Sequence, residues 1–349
     1  MTDTIAYLLY GESGPYHLEL TYSVLSVIHQ ARRAGSRPPR IVLVTDRGNA
    51  RHDLPVDHRF FTREEFDRWT DGAGYIHRAK IEALGAAMPA TGRCVLIDTD
   101  TYLLAPPSTL FDRIAPGRFL MHEREPAIGE HDEWETLLSD GPRVVDGYPI
   151  DSSSAMCNSG VVGLDAADAG LLVDVLRLCS SLRAIAPVFS AEQFAFTTVL
   201  ERHGRLSTCS DLVRHYWGFE RGFVHAAIER LFPTFSRDSF EANVEAFEPF
   251  DSPPKRLRDR LLARWTRHRR KEDGAYQYAN LAVRSAFAAR RNDPRHADIW
   301  ARLAVDVLGR HGIAADRADA DFASMRRFDD KPWLSPETRS AWAEFWSRG

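Results

Sequence analysis

Apolar and polar positions alternate in blocks along the first hundred residues. Residues 5–10 form a short continuous apolar run that ends at Gly11, and after a Glu-Ser-Gly-Pro loop a helical pattern extends over 16–34. A second apolar, β-branched run at 41–45 stops at Asp46, helical stretches follow at 64–69 and 75–88, and a third run at 94–97 stops at Asp98. Strands that are apolar throughout and separated by helices predict an α/β fold with a mostly parallel sheet covered on both faces. Ligands of such sheets bind at the carboxyl ends of the strands, where Tyr10, Gly11, Asp46 and Asp98 stand.

Beyond Asp100 the pattern loosens. Residues 123–157 are rich in acidic side chains and read as a long irregular excursion, of the kind that is usually functional or mobile. Order resumes with a strand at 160–164 and helices at 166–183 and 191–203. A Pro-containing break at 251–254 then opens a tail with helical signals only. The expected division is a domain over 1–250 and a helical extension over 251–349.

The strongest local feature is Val95-Leu-Ile-Asp98-Thr-Asp100. Residues two apart on extended backbone point the same way, so both carboxylates can face one hard cation. A second such triplet, Asp319 and Asp321, lies in a polar stretch with no strand before it. His215 is the candidate third ligand, followed by Gly218, which permits close backbone approach, and by Arg221, a guanidinium able to clamp a phosphate. In a helix over 75–88, Ile76, Ala79, Ala83, Leu84 and Ala87 form an apolar arc that contains Lys80, and a lysine on a buried face requires an anion. Arg78 falls on the far side and reads as solvated.

Composition narrows the class. With 349 residues, 44% of them apolar and 27% charged, the chain is neither disordered nor low in complexity and can bury a full core. Cys94, Cys157, Cys179 and Cys209 form no C-x-x-C pair and read as buried, reduced thiols. No basic leader and no apolar run of about 20 residues is present, so a cytoplasmic location is the expectation. The net charge of -4 conceals an asymmetry: residues 1–250 carry 24 basic and 35 acidic groups, and residues 251–349 carry 21 and 14. The acidic half would repel an anionic ligand without a cation to bridge them. Within the basic half, nine basic side chains crowd residues 255–271, with Leu257, Leu261, Leu262 and Trp265 in one stripe. Such a helix either packs on its own domain or makes peripheral contact with the inner face of an anionic membrane. No nucleic-acid partner is expected.

The ordered set of an apolar strand ending in Asp98-Thr-Asp100, then Cys157-Asn-Ser-Gly160-Val-Val-Gly-Leu, then Glu192-Gln193, then His215-x-x-Gly218-x-x-Arg221, resembles the GT-A glycosyltransferases grouped with glycogenin and the bacterial lipopolysaccharide galactosyltransferases. The resemblance covers about residues 5–225. It implies a GT-A fold, Rossmann-like, and a nucleotide-diphosphate sugar donor, UDP-linked. It makes Asp98, Asp100 and His215 ligands of Mn2+ or Mg2+, places Asn158, Ser159 and Gly160 along the donor sugar, and sets Gln193 beside them. Tyr10, Gly11 and Asp46 would meet the base and ribose, and Lys80, Gly218 and Arg221 the diphosphate. Arg221 stands where the family has Lys, Glu192 where it has Asp, and Gly222-Phe223 where Pro-Trp often follows. The acceptor, whether glycan, lipid-linked or small molecule, is not named. The resemblance implies retention, in which Glu192 positions the sugar; inversion would require a base, Glu192 or an acid of the 123–151 stretch. Two other readings stand beside it: a degenerate transferase that only binds its nucleotide sugar, and a phosphatase of the haloacid dehalogenase type. The latter would place Thr or Val where Tyr102 stands.

Overall fold

The computed structural model describes residues 2–11, 14–72, 74–217, 221–232, 234–250, 274–291, 293–315, 328 and 331–348. They divide into two compact units, one of residues 2–216 with 234–249, the other of 217–232 with 250 and the described residues from 274 to 348.

The first unit is built on a seven-stranded sheet with short ladders beside it. In chain order its strands begin with β1 (Thr2–Leu9), β2 (Arg40–Thr45), β3 (Asp57–Phe60), β4 (Gly92–Ile97), the three-residue β5 (Thr101–Leu103) and β6 (Arg118–Met121). The short β7 (Arg124–Glu125), β8 (Arg143–Val145), β9 (Tyr148–Ile150) and β10 (Met156–Cys157) precede β11 (Val161–Asp165), β12 (Arg205–Thr208) and β13 (Val213–His215). The sheet order is β12-β6-β11-β4-β1-β2-β3. Pairings among β4, β1, β2 and β3 are parallel, as is β6 with β12, while β11 runs against both β4 and β6. The fold is therefore α/β, Rossmann-like and mostly parallel. The reversal of β11 brings its first residues to the carboxyl end of β4, with Val161 opposite Ile97.

Helices α1 (Gly14–Arg33), α2 (Arg63–Trp69) and α3 (Arg78–Ala87) follow strands, and the short α4 (Ser108–Phe111) and α5 (Glu135–Leu138) precede the long α6 (Leu171–Ile185) and α7 (Ala191–His203). The core draws on Ile5, Leu43, Val95, Val162, Leu178 and Phe196, all buried. The four cysteines are free and buried, and burial pushes the thiols of Cys94 and Cys179 up to about 12, so they are inert fillers of the core.

The 123–157 segment differs from the loose excursion its composition suggests. It contains 3-10 turns at Ile128–Glu130 and Asp132–Trp134, the α5 turn and the β8–β9 hairpin. Trp134 is fully buried, its ring 4.8 Å from Phe194 and its indole N–H donating to Ser190 Oγ at 3.0 Å. Tertiary contacts, not periodicity, order this stretch. On α3, Lys80 is buried as the apolar arc requires, but Ile76 is 37% exposed because the helix begins only at Arg78, and Ile81 fills the core instead. Arg78 is not solvated either: it donates to Trp69 O at 2.7 Å and Ser180 Oγ at 3.0 Å.

The chain leaves this unit after Tyr216 and returns for residues 234–249. There α9 (Phe240–Glu245), preceded in the chain by α8 (Arg221–Leu231), packs on α1, with His29 Nδ1 2.8 Å from Val244 O. The second unit is helical in its described residues. Phe223 on α8 lies 4.2 Å from Tyr278 and 4.7 Å from Trp300 by ring centroids, which ties residues 217–232 to the C-terminal helices Gly274–Ala289 and Pro294–Arg310. A last helix, Pro336–Ser347, docks through Trp342, whose indole N–H donates to Ala301 O at 3.0 Å. Among the described residues no helix is long and apolar enough to cross a membrane. Residues 255–271, with their nine basic side chains and apolar stripe, and the Asp319 and Asp321 pair lie outside the described residues.

Candidate active site

The apolar run of β4 ends where its ladder ends. Asp98 N–H donates to Gly160 O at 2.9 Å, and Thr101 Oγ donates back to Asp98 O at 2.7 Å. This folds the Asp-Thr-Asp triplet into a turn between β4 and β5. Strand β5 then pairs with β13, Thr101 opposite His215, and Tyr216 N–H donates to Asp100 O at 3.0 Å. Two segments remote in sequence thereby meet.

Ligand atoms of Asp98, Asp100 and His215 lie within 4.8 Å of one another, and His215 Nε2 is 3.2 Å from Asp100 Oδ1. That spacing suits one divalent ion with bonds of about 2.0–2.6 Å, and two carboxylates with an imidazole suit an ion of intermediate hardness. His215 Nδ1 is 3.1 Å from Asn158 Oδ1. The histidine lies so close to the chain at Gly160 that a Cβ there would come within 2.3 Å of Nδ1. The glycine therefore makes room for the imidazole, a role beyond lining a sugar.

Lys80 reaches this cluster from α3. Its Nζ donates to Asp98 Oδ2 at 2.9 Å and to Ser159 O and Oγ at 3.1 and 3.2 Å, and it stands 3.8 Å from Glu192 Oε1. The anion it requires is thus supplied by the protein. Burial works against its charge, yet Asp98 and Glu192 hold its pKa above the usual lysine value. Glu192, 2% exposed at the start of α7, accepts from Ser159 Oγ at 3.0 Å. Burial pushes its carboxyl up to about 7 against the pull of Lys80, with Asp98 adding to the rise. His77, half-buried just ahead of α3, is pushed down to about 4, first by burial and then by Lys80.

The structure thus brings together Lys80, Asp98, Asp100, Asn158, Ser159, Gly160, Glu192, Gln193 and His215. Tyr10, Gly11 and Asp46 follow the carboxyl ends of the adjacent β1 and β2. Tyr10 packs 5.2 Å from Phe66, and Gly11 turns the chain at φ +77°. The Asp46 carboxylate accepts from Gly48 N, Asn49 N and Asn49 Nδ2 at 2.8, 3.1 and 2.6 Å, capping its own turn. Gly218 lies outside the described residues, and Arg221 opens α8 in the second unit, so the His-x-x-Gly-x-x-Arg spacing runs from one unit into the other.

Three residues that carry no signal in the sequence join the site. Glu125 on β7 takes Asn158 Nδ2 at 2.9 Å and Gln193 Nε2 at 2.7 Å, one on each carboxylate oxygen. The buried Glu19 of α1 accepts from Thr99 Oγ at 3.1 Å, holding the middle of the triplet. His122 stands edge-on to His215 with ring centroids 5.3 Å apart, and its Nε2 bonds Val213 O at 3.0 Å. Only a three-dimensional ladder, β7 on β10, puts Glu125 beside Asn158.

No protein-family model matches the chain, and comparison with curated proteins finds no match. Among solved structures, the chain is similar to mouse xyloside xylosyltransferase 1 in its apo form, with 14% identity over 60% of this chain and 85% of that one and a TM-score of 0.41. It is similar also to the galactosyltransferase LgtC in complex with donor and acceptor sugar analogues, with 11% identity over 71% and 98% of the two chains and a TM-score of 0.44. A third, the apo WbbM bifunctional glycosyltransferase, shows 10% identity over 70% of this chain and 49% of that one, at a TM-score of 0.39.

Proposed function

We propose that the chain is a metal-dependent glycosyltransferase that moves a sugar from a nucleotide-diphosphate sugar, UDP-linked, to a glycan, lipid-linked or small-molecule acceptor with retention of configuration. The observation that carries this reading is the convergence of Asp98, Asp100 and His215 after the carboxyl end of β4, with Asp98 bound to the buried Lys80 and Lys80 3.8 Å from Glu192. Asp98, Asp100 and His215 would hold Mn2+ or Mg2+, and such an ion, when bound, neutralises charge on a departing nucleoside diphosphate. The chain's own groups do the rest. Lys80 holds one oxygen of Asp98 and leaves the other for a ligand. Asn158, Ser159 and Gln193 form a rigid hydrogen-bonded rim suited to sugar hydroxyls. Glu192 is enclosed and engaged with Ser159 and Lys80, which suits orienting the rim rather than taking a proton from an acceptor, and so favours retention.

A thermal-shift panel of UDP, GDP, ADP, CMP and TDP, with and without Mn2+, tests the reading. A nucleotide at 100 times its dissociation constant adds about 2.7 kcal/mol, so UDP with Mn2+ should stand apart from the rest. No metal-dependent shift with any nucleotide would overturn it. Metal-dependent binding without hydrolysis or transfer of the sugar would mark a protein that only binds its nucleotide sugar. For a lipid-linked acceptor, residues 255–271 are the proposed contact with the inner membrane face. Sedimentation with anionic vesicles at low and high salt checks it, and absence of salt-sensitive binding removes it.

A further inference from the structure

A metal-ligating imidazole presents the correct nitrogen only when its other nitrogen carries the proton, and a neighbouring acceptor sets which one does. At His215 two hydrogen-bonded states are open. With the proton on Nδ1, it is donated to Asn158 Oδ1 at 3.1 Å, and the lone pair of Nε2 faces the cluster. With the proton on Nε2, it falls to Asp100 Oδ1 at 3.2 Å, and the metal position is closed by an internal hydrogen bond. The choice rests on which end of the Asn158 amide faces the ring.

Glu125 makes that choice. A carboxylate only accepts, so Glu125 Oε1 admits only the NH2 end of Asn158, at 2.9 Å. The amide oxygen is left to His215 Nδ1 and to Gly160 N–H at 2.9 Å. Glu125 Oε2 does the same to Gln193, whose NH2 it takes at 2.7 Å, so that Gln193 Oε1 turns to Ser159 N–H at 3.3 Å. The backbone fixes the geometry on both sides: Asn158 N–H donates to Glu123 O at 2.8 Å, and His122 N–H to Asn158 O at 3.1 Å. We propose that Glu125 is a positioning residue which, through Asn158, keeps the His215 proton on Nδ1 and the Nε2 lone pair available to a divalent ion, and in the same act orients the amide of Gln193. The inference rests on the reading of Asp98, Asp100 and His215 as metal ligands.

The test is made on the metal-free full chain. Long-range 1H–15N correlation of labelled histidine at pH 8, with His215 assigned by the loss of its signals in His215→Gln, reports which ring nitrogen carries the proton. The wild type is expected to show Nδ1–H, and Nε2–H would overturn the proposal without any variant. In Glu125→Gln the amide offers one donor and one acceptor to two NH2 groups, so one partner must turn. A mixture of tautomers or Nε2–H is expected, with Mn2+ affinity by electron paramagnetic resonance weakened 10–100-fold. Glu125→Asp, which keeps an acceptor-only group, should hold the wild-type tautomer and recover part of the affinity. An unchanged tautomer and unchanged Mn2+ affinity in Glu125→Gln would overturn the proposal. If Glu125→Gln shifts the tautomer but the wild type binds no Mn2+, the role of Glu125 stands and the metal reading fails.

Discussion

Asp98 divides its two carboxylate oxygens between a buried ammonium and the open cluster, and Asp100 and His215 complete the set of candidate ligands. Asp100 faces His215 Nε2 at 3.2 Å and offers a direct test of the cluster. Asp100→Ala is expected to weaken Mn2+-dependent binding of UDP at least tenfold, measured by titration calorimetry, while circular dichroism shows an intact fold; equal affinity would refute its role. Lys80→Met should weaken binding less, since it removes a support for Asp98 and not a ligand. Gly160 is a different kind of residue, one that matters for what it lacks. The Cβ of Gly160→Ala would lie 2.3 Å from His215 Nδ1 and 2.5 Å from Cε1, so the ring must move. The expected result is a loss of about 1–3 kcal/mol in urea unfolding, together with weakened Mn2+ binding. Wild-type metal affinity in that variant would show that the ring is not held against the chain.

At the scale of elements, the reversed strand β11 and the small β5–β13 and β7–β10 ladders do most to assemble the site. The parallel strands β1, β2 and β4 were legible from their apolar runs, and so was the turn residue after each, whereas β3, β6 and β12 were not. The short ladders were not, because two or three residues hold no period and their partners lie far away in sequence. The 123–157 segment shows the same limit. Its order comes from Ile128, Trp134 and Leu137 reaching the core between polar neighbours. Trp134→Ala removes a fully buried indole and its bond to Ser190, and a loss of about 3–5 kcal/mol is expected in denaturant unfolding. A change below 1 kcal/mol would mean that the segment is not ordered by this residue.

For the molecule as a whole, the pH dependence of stability carries the signature of the buried Glu192. Its carboxyl titrates near 7 in the fold against an ordinary value of 4.5, so the folded state holds a proton that the unfolded chain releases. A raised carboxyl contributes stability that is fully present below 4.5 and is lost as pH rises through 7. Glu192→Gln should therefore flatten the decline between pH 5 and pH 8, by on the order of 2–3 kcal/mol in metal-free urea titrations. Parallel curves for the two proteins would rule out the raised carboxyl. The two compact units add a second molecular fact. Residues 217–232 are placed with the C-terminal helices by the ring contacts of Phe223, which a composition break at 251–254 does not report.

The sequence by itself determined the α/β alternation, the burial of the cysteines and of Lys80, and the position of Asp98 at a strand end. These follow from local periodicity and from the cost of burying charge, which neighbouring residues encode. Only the tertiary structure decided that His215 meets Asp100, that Lys80 is neutralised by Asp98 and Glu192, and that Glu125 joins Asn158 to Gln193. Those pairings depend on which strands lie side by side, and hydrogen bonds between strands are made by backbone groups that every residue shares.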